Sequence, residues 1–499
     1  LAIAGYIFLA LIAISFLNRI ISYRRLSHIP GPTIAGWSRL WMVRANTSGR
    51  NHTFLYDAIL KYGSLVRIGP NHLLTSDPEL IRRMQAPRSP YRRSIWYTTF
   101  RFKPRADNII SVVDEDVHNE LRRKMGNGYS GKEVPHMEEK IDGQVQIWID
   151  NIRKKYISTR TELKPMDLAR SVQYFTLDVI SDLAFNSPFG DVPQDKDVHG
   201  YIKTTEDAIG FMTLLSIFPK VHRWIEQSRL VDLLAPTAKD KTGLGRIVGI
   251  AQAEIAKRFE GKVLNPKEDK QDMLGSFLRH GLSQEEAESE TVLQIMAGSD
   301  TSATVIRVVF LYLITSPHMM SKLRAELDAG IKSGQISSPI SDTEARKLPY
   351  LQACIKEAIR LWPPVTGILQ KVVPPEGDTF NGTYIPGGTF IGQCAWALGR
   401  NPDIYGPDFS LFRPERWLEA TGEKLQKMER QADLTFGYGR FACLGKPVAQ
   451  MELNKVFVEI LRSFDISIVD PSQPWDNDSR GIFLMKNFWV RVTERGSDS

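Results

Sequence analysis

The amino-acid sequence predicts a mainly α-helical fold with a smaller β-rich lobe, and three observations carry that prediction. One helical pattern runs unbroken from Ser283 to Ser316-Pro317, a second spans 348–362, and the extended segments are short and scattered. The chain has 499 residues, a length that by itself allows about three domains. No Pro/Ser/Gly-rich linker, repeat or low-complexity tract divides it after residue 50, so one large domain is expected.

The N-terminus is a distinct element. Leu1 to Leu17 is an uninterrupted, mostly apolar run, extended by Ile20-Ile21 across Asn18-Arg19. Allowing for residues ahead of Leu1, it approaches the ~20 residues that span a bilayer. Basic residues come after it at Arg24 and Arg25, and no small-x-small cleavage pattern stands out. This favours an anchor over a secretory signal and keeps the remainder of the chain on the cytosolic side. The expected division is a transmembrane anchor over 1–21, a basic and proline-rich hinge over 22–32, and the main domain over 33–499.

Extended segments are expected at 64–68, 73–75, 379–385, 389–392, 465–469 and 488–492, from short β-branched runs bounded by turn residues. In the long helix, Ser283 with Glu286 reads as a capping box. Roughly 32 residues at 1.5 Å each make a rod of roughly 48 Å, which must cross the whole domain. Its second half is apolar on nearly all faces, yet Ala297-Gly298-Ser299-Asp300-Thr301-Ser302 puts an acid and hydroxyls at its centre. A serine or threonine there can simply bond to the carbonyl four residues back. A buried carboxylate needs a partner or a purpose. Between 348 and 362, Leu351, Ile355, Ile359 and Trp362 fall at helical spacing and Pro363-Pro364 stops the helix. Glu357 and Arg360, three apart, share one face.

The stretch Phe436-Gly-Tyr-Gly-Arg-Phe-Ala-Cys443-Leu-Gly445 places one cysteine in a glycine-rich turn ahead of an amphipathic helix. A thiol is a metal ligand only when ionised, and backbone N–H groups with a helix N-terminus lower its pKa. Glycines 437, 439 and 445 let the backbone fold closely around the sulfur, with nothing bulky beneath a flat cofactor. A lone intracellular cysteine is usually a small buried hydrophobe; the surrounding pattern sets Cys443 apart.

That pattern resembles the haem-binding loop of the cytochrome P450 superfamily, with Phe436, Gly439, Cys443 and Gly445 in register. The resemblance implies the cytochrome P450 fold and haem b as cofactor, with Cys443 as axial thiolate of its iron, a ligand that favours O–O cleavage. Two other family elements stand in order before the loop. Glu357 and Arg360 match one, and Phe412-Arg-Pro-Glu-Arg416-Trp417 the other; the family pairs them into a buried triad of Glu357, Arg360 and Arg416. At the centre of the long helix, Thr301 matches the alcohol that steadies oxygen and its proton supply, and Asp300 the acid that relays protons.

One position departs from the family. Where most members carry an arginine for a haem propionate this chain has Phe441, with its arginine moved to Arg440. The variant is similar to fungal enzymes of the pisatin-demethylase-like type. His118 and Arg122, in a His-x-x-x-Arg pattern, and Lys371 fall where the family often has propionate partners, and are expected to compensate. By the same analogy Ile95, Trp96, Met296, Ala297, Val365, Thr366, Ile368, Leu369, Ile482 and Phe483 line an apolar substrate pocket.

The resemblance therefore implies a membrane-anchored haem-thiolate monooxygenase of the endoplasmic reticulum that inserts one oxygen atom into an apolar small molecule of fungal secondary metabolism. There is no Gly-rich dinucleotide turn, so NADPH acts through a separate cytochrome P450 reductase, with cytochrome b5 a second candidate donor. A haem-thiolate isomerase, dehydratase or oxidative ring-forming enzyme is one alternative, against which the intact Asp300-Thr301 pair argues; a non-enzymatic haem sensor or carrier is another. Three cysteines, 354, 394 and 443, offer no disulfide framework. Glycosylation triplets at Asn46, Asn51, Asn381 and Asn477 are then chance matches. The net charge of +7 suits an anionic membrane surface or an acidic redox partner. Nucleic acid is not an expected partner, because the basic doublets are scattered without a recognised motif.

Overall fold

The computed structural model describes residues 2–229, 231, 235–260 and 271–496. Helix Gln284–Ile314 is its axis. It opens on the Ser283–Glu286 capping box, with each side chain bonded to the other residue's backbone. It packs along its length against helix Leu168–Phe185 and then against Pro349–Leu361 and Lys446–Ser463. Val305, Ile306, Val308, Val309 and Phe310 are buried, which explains a helix apolar on nearly every side. Among the described residues it is the helix long and apolar enough to cross a bilayer; two-thirds of it is buried in the protein, and it is a core helix.

A separate core lies under a five-stranded sheet ordered Leu65–Gly69, His72–Thr75, Phe390–Gln393, Lys371–Val372, Arg92–Arg93. Strand His72–Thr75 runs parallel to Phe390–Gln393 and antiparallel to Leu65–Gly69. The extended stretch expected over 379–385 is two strands, Asp378–Phe380 and Thr383–Ile385, joined at Asn381-Gly382. Both turn residues have positive φ (47° and 75°), the backbone that a tight Asn-Gly hairpin requires. The C-terminal pair is Phe464–Ile468 with Trp489–Glu494. The hairpin Asp476–Ser479 with Phe483–Lys486 has no counterpart among the expected segments, because Asp-Asn-Asp-Ser carries no β-propensity.

The segment 22–32, expected as a hinge, is built into the sheet lobe. One helix runs through Ala2–Arg25, Leu26 and Ile29 are buried in the second core, and Arg67 donates to the carbonyls of Ser22 and Tyr23 at 2.9 Å each. Arg67 is buried on its strand and satisfies those helix-end carbonyls, which fixes the helix exit to the lobe.

Candidate functional site

The cysteine loop is set by its backbone. Gly439 has φ +57°, and a Cβ there would lie 2.9 Å from the carbonyl oxygen of Gln85, so no other residue fits without displacing main chain. The Gln85 side chain accepts from Tyr438 N at 2.9 Å, and Cys443 N donates to Phe436 O at 2.6 Å. Cys354 and Cys394 are buried and Cys443 is exposed. Lost hydration raises the Cys443 thiol pKa, while N–H groups of Gly445 and Lys446 and the charge of Arg122 oppose the rise. The thiol is thus accessible yet hemmed in by protein, with donors already aimed at its anion, and a bound cation would ionise it.

Phe441 is the hub of a cluster of bases. The Lys371 ammonium stands 3.2 Å from its ring centroid, and the guanidinium carbons of Arg440 and Arg93 at 5.2 and 5.8 Å. The His118 ring is 5.1 Å away. The one acid among them is Glu115, paired with Arg440 and Arg92 and 3.7 Å from Lys371 Nζ. Burial pushes Lys371 down to about 7 and His118 down to about 3. Lys371 Nζ, His118 Nδ1 and Arg93 Nε are buried without hydrogen-bond partners among the described residues. Buried donors rarely stay unpaired, and this set suits the two carboxylates of a haem. Arg122 instead donates to the Ala442 carbonyl and braces the loop. Sequence motifs do not mark Arg93, because only the sheet register brings it opposite Lys371.

At the centre of the long helix, Thr301 Oγ1 donates to Ala297 O at 2.8 Å. Asp300 accepts from Gln173 Nε2 at 2.6 Å and from the Tyr201 hydroxyl at 3.4 Å. Gln173 Oε1 in turn accepts from Arg307 Nη2 at 2.6 Å. Burial raises the Asp300 pKa, opposed by Gln173 and Arg307. Gly298 packs on the helix that carries Gln173: a Cβ there would meet Ile180 Cγ1 at 2.7 Å, so that glycine lets two core helices cross closely. Ser302 lies beside the Glu452 carboxyl, which burial holds at about 8 and whose Oε1 is buried without a hydrogen-bond partner among the described residues; in the sequence Glu452 is only one charged position in an amphipathic helix.

Glu357 accepts from Arg360 Nε and Nη2 at 2.8 and 2.7 Å, Arg416 Nε at 2.9 Å, Trp417 Nε1 at 2.9 Å and Arg413 N at 2.8 Å. Arg360 spends its remaining donors on the carbonyls of Gly399, Phe409 and Leu411, and Arg416 on the carbonyls of Tyr405, Asp408 and Leu411 and on the Asp408 carboxylate at 3.0 Å. The buried charges are thereby satisfied, and the segment leading to the cysteine loop is clamped to helix Pro349–Leu361.

A cavity of about 210 Å³ lies beside Asp300 and Thr301. Trp96, Met296, Ala297, Val365, Ile368, Leu369 and Ile482 line it. Ile95, Thr366 and Phe483 do not. Phe483 comes directly after Ile482 in an extended segment, so its side chain points the other way and packs on Trp362, Trp396 and His52. The Thr366 hydroxyl is turned to Ser479 Oγ at 3.0 Å. In the 3-10 turn Ile95–Phe100 it is Trp96 and Phe100 that reach the cavity. Ile209, Met212 and Ile217 add a wall that no motif marks.

Comparison with known proteins agrees with this geometry. The cytochrome P450 family model matches residues 30–489. The cytochrome P450 monooxygenase ABA1 of Pyricularia oryzae is 42% identical over 484 residues, covering 95% of this chain and 94% of the relative. The cytochrome P450 monooxygenase aba1 of Botryotinia fuckeliana is 38% identical, covering 94% and 92%, and abl1 of Leptosphaeria maculans 34%, covering 93% and 82%. With a matching cysteine loop, a buried Glu-Arg-Arg cluster and an acid–alcohol pair on the cavity wall, the chain belongs to the cytochrome P450 family.

Proposed function

We propose that this monooxygenase is membrane-anchored, takes electrons from an NADPH-dependent reductase and oxidises an apolar small molecule of fungal secondary metabolism. The carrying observation is that an apolar cavity meets the Asp300-Thr301 pair in a fold whose one exposed cysteine sits in the haem-binding loop. Haem, when bound, supplies the oxygen-activating chemistry. Cys443 would hold its iron, and Lys371, His118 and Arg93 its carboxylates. The cavity walls orient the substrate and exclude water. Asp300, kept from bulk solvent and tethered by Gln173, takes up and passes on protons, and Thr301 Oγ1 presents a hydroxyl at the cavity wall.

The anchor reading rests on helix Ala2–Arg25, which exposes Tyr6, Ile14, Phe16, Leu17 and Ile21 and ends on Arg24 and Arg25. Truncation should stop before Ser22, because the residues from there on belong to the sheet lobe. Reduced protein with carbon monoxide should show the red-shifted band of a thiolate-ligated haem and lose it in Cys443→His. With reductase and NADPH it should consume oxygen when substrate is present. A Cys443→His protein that retains the band would overturn the ligand assignment, and turnover without oxygen would overturn the monooxygenase reading.

A further inference from the structure

Of the described residues lining the cavity, two are charged, Asp300 and Arg480. Asp300 is committed to Gln173, Tyr201 and Arg307. Arg480 is not committed in the same way. Its Nε lies 3.0 Å from Asp478 Oδ2, both side chains being more than a third exposed, and such a pair is weak. Nη1 and Nη2 have no hydrogen-bond partner among the described residues.

Three features show that this arginine is placed. Its backbone is fixed, because Gly481 O accepts from Thr366 N and Gly367 N at 2.8 and 3.0 Å, and Arg480 N donates to Ile482 O at 3.1 Å. Its guanidinium packs against residue 210, a glycine on helix Tyr201–Ser216: a Cβ there would lie 2.3 Å from Nη1 and would move the guanidinium from this position. Polar side chains, Asn46 and Thr213 among them, stand with it on the cavity wall. Thr213 lies against Gly481, at 3.3 Å from a Cβ built there; its hydroxyl donates to Ile209 O at 2.8 Å within its own helix and stands 3.5 Å from Asn46 Oδ1.

We infer that Arg480, with Asn46 and Thr213 beside it, forms an anion subsite in the substrate cavity, and that the substrate is an apolar acid whose carboxylate this subsite holds. The inference deepens the monooxygenase reading and rests on the same cavity. A planar guanidinium with one edge free matches a carboxylate in a two-pronged hydrogen bond. A few polar groups fixed in an apolar pocket set ligand orientation more than they set affinity. Held at that end, the substrate would offer its hydrocarbon part to the Thr301 side of the cavity.

The test compares dodecanoic acid with dodecan-1-ol, which has the chain without the charge. Each is titrated into the haem-loaded full-length protein at pH 7.5, by calorimetry and by the haem spin-state shift. The acid should bind about tenfold more tightly, the range of a charge-assisted hydrogen bond at a half-open site. Arg480→Gln should remove that preference and leave the alcohol's Kd unchanged, while Arg480→Lys should retain part of it. Gly210→Ala, which pushes the guanidinium aside, should weaken acid binding selectively. Asp478→Asn should leave the preference intact or increase it. Equal affinity of acid and alcohol in the wild type, or an equal loss of both in Arg480→Gln, would overturn the subsite. Calorimetry reads this preference without turnover, so a failure of the monooxygenase reading would show separately, in the carbon monoxide band and the oxygen uptake.

Discussion

The ammonium of Lys371 stands 3.2 Å from the centroid of the Phe441 ring. At the position where most of the family has a propionate arginine, this chain therefore offers an aromatic face to a lysine brought in from the sheet. A cation over a ring is stabilised by about 0.5–2 kcal/mol. That offsets part of the cost of burying Lys371, whose pKa burial pushes down to about 7, and it leaves the N–H donors that do not face the ring for an anion.

Lys371→Ala should accordingly lower the haem content of purified protein. Phe441→Arg should lower it as well, because a guanidinium would then compete with Lys371, Arg93 and Arg440 for the same space. The double variant Phe441→Arg/Lys371→Ala should recover haem relative to either single change, since it restores one cation at the position usual in the family. The check is the ratio of haem to protein by pyridine haemochrome, and losses that simply add would refute the exchange.

The Glu357 cluster predicts a different failure. Glu357→Gln leaves the buried Arg360 guanidinium without a carboxylate and Arg416 with Asp408 alone, and breaking such a buried network typically costs about 3–5 kcal/mol. Thermal unfolding should shift down by several degrees and haem should be lost with it, because the segment ahead of the cysteine loop is no longer clamped. Arg416→Lys should fall between wild type and Glu357→Gln, since lysine keeps the charge but cannot reach both Glu357 and the Tyr405 carbonyl. A Glu357→Gln protein as stable as wild type would show that the hydrogen bonds, not the charges, hold the cluster.

The long helix, its capping box and the cysteine loop are legible in the sequence because each depends on local order: a 3.6-residue period, a cap, a run of glycines. The stretch 379–385 reads as one strand because the turn inside it is short; the Asn-Gly pair is the available signal. Arg93, Glu452 and Arg480 are not legible, since each acquires its role from a partner at least 100 residues away, Lys371, Ser302 and Gly210 respectively. Phe483 is misplaced by one step of strand alternation, which motif analogy does not count. Arg122 is expected to reach toward the cofactor, and it instead bonds the Ala442 carbonyl, a contact that no spacing encodes.

Glu452 predicts a pH dependence. Its folded carboxyl holds its proton up to about 8, against 4.5 as the ordinary value. Between those two pH values unfolding releases a proton, so this group lowers stability as pH rises from 4.5 toward 8. Glu452→Gln keeps the shape of the protonated acid but cannot ionise. The melting temperature of the variant should match wild type near pH 5 and exceed it at pH 8.5. Equal melting temperatures at both pH values would mean that the buried carboxyl stays ionised or is rehydrated.

Thr301 and Asp300 should separate in their effects. The Thr301 hydroxyl donates to Ala297 O at 2.8 Å, the bond of a helix-bending residue, and it must turn from that carbonyl to serve the cavity. Asp300 is held by Gln173 and shielded from solvent, so it is placed to relay protons rather than to bind substrate. A positioned proton donor contributes about 10²–10⁴-fold. Thr301→Ala should therefore bind haem and substrate, consume NADPH with the reductase, and release hydrogen peroxide in place of much of the product. Asp300→Asn should slow NADPH oxidation and product formation together and leave their ratio near that of wild type. Gln173→Ala, which frees the carboxyl while keeping it, should lie between Asp300→Asn and wild type in rate. If Thr301→Ala gives wild-type product per NADPH, the hydroxyl serves only its bond to Ala297, and proton management rests with Asp300 and the Ser302–Glu452 pair.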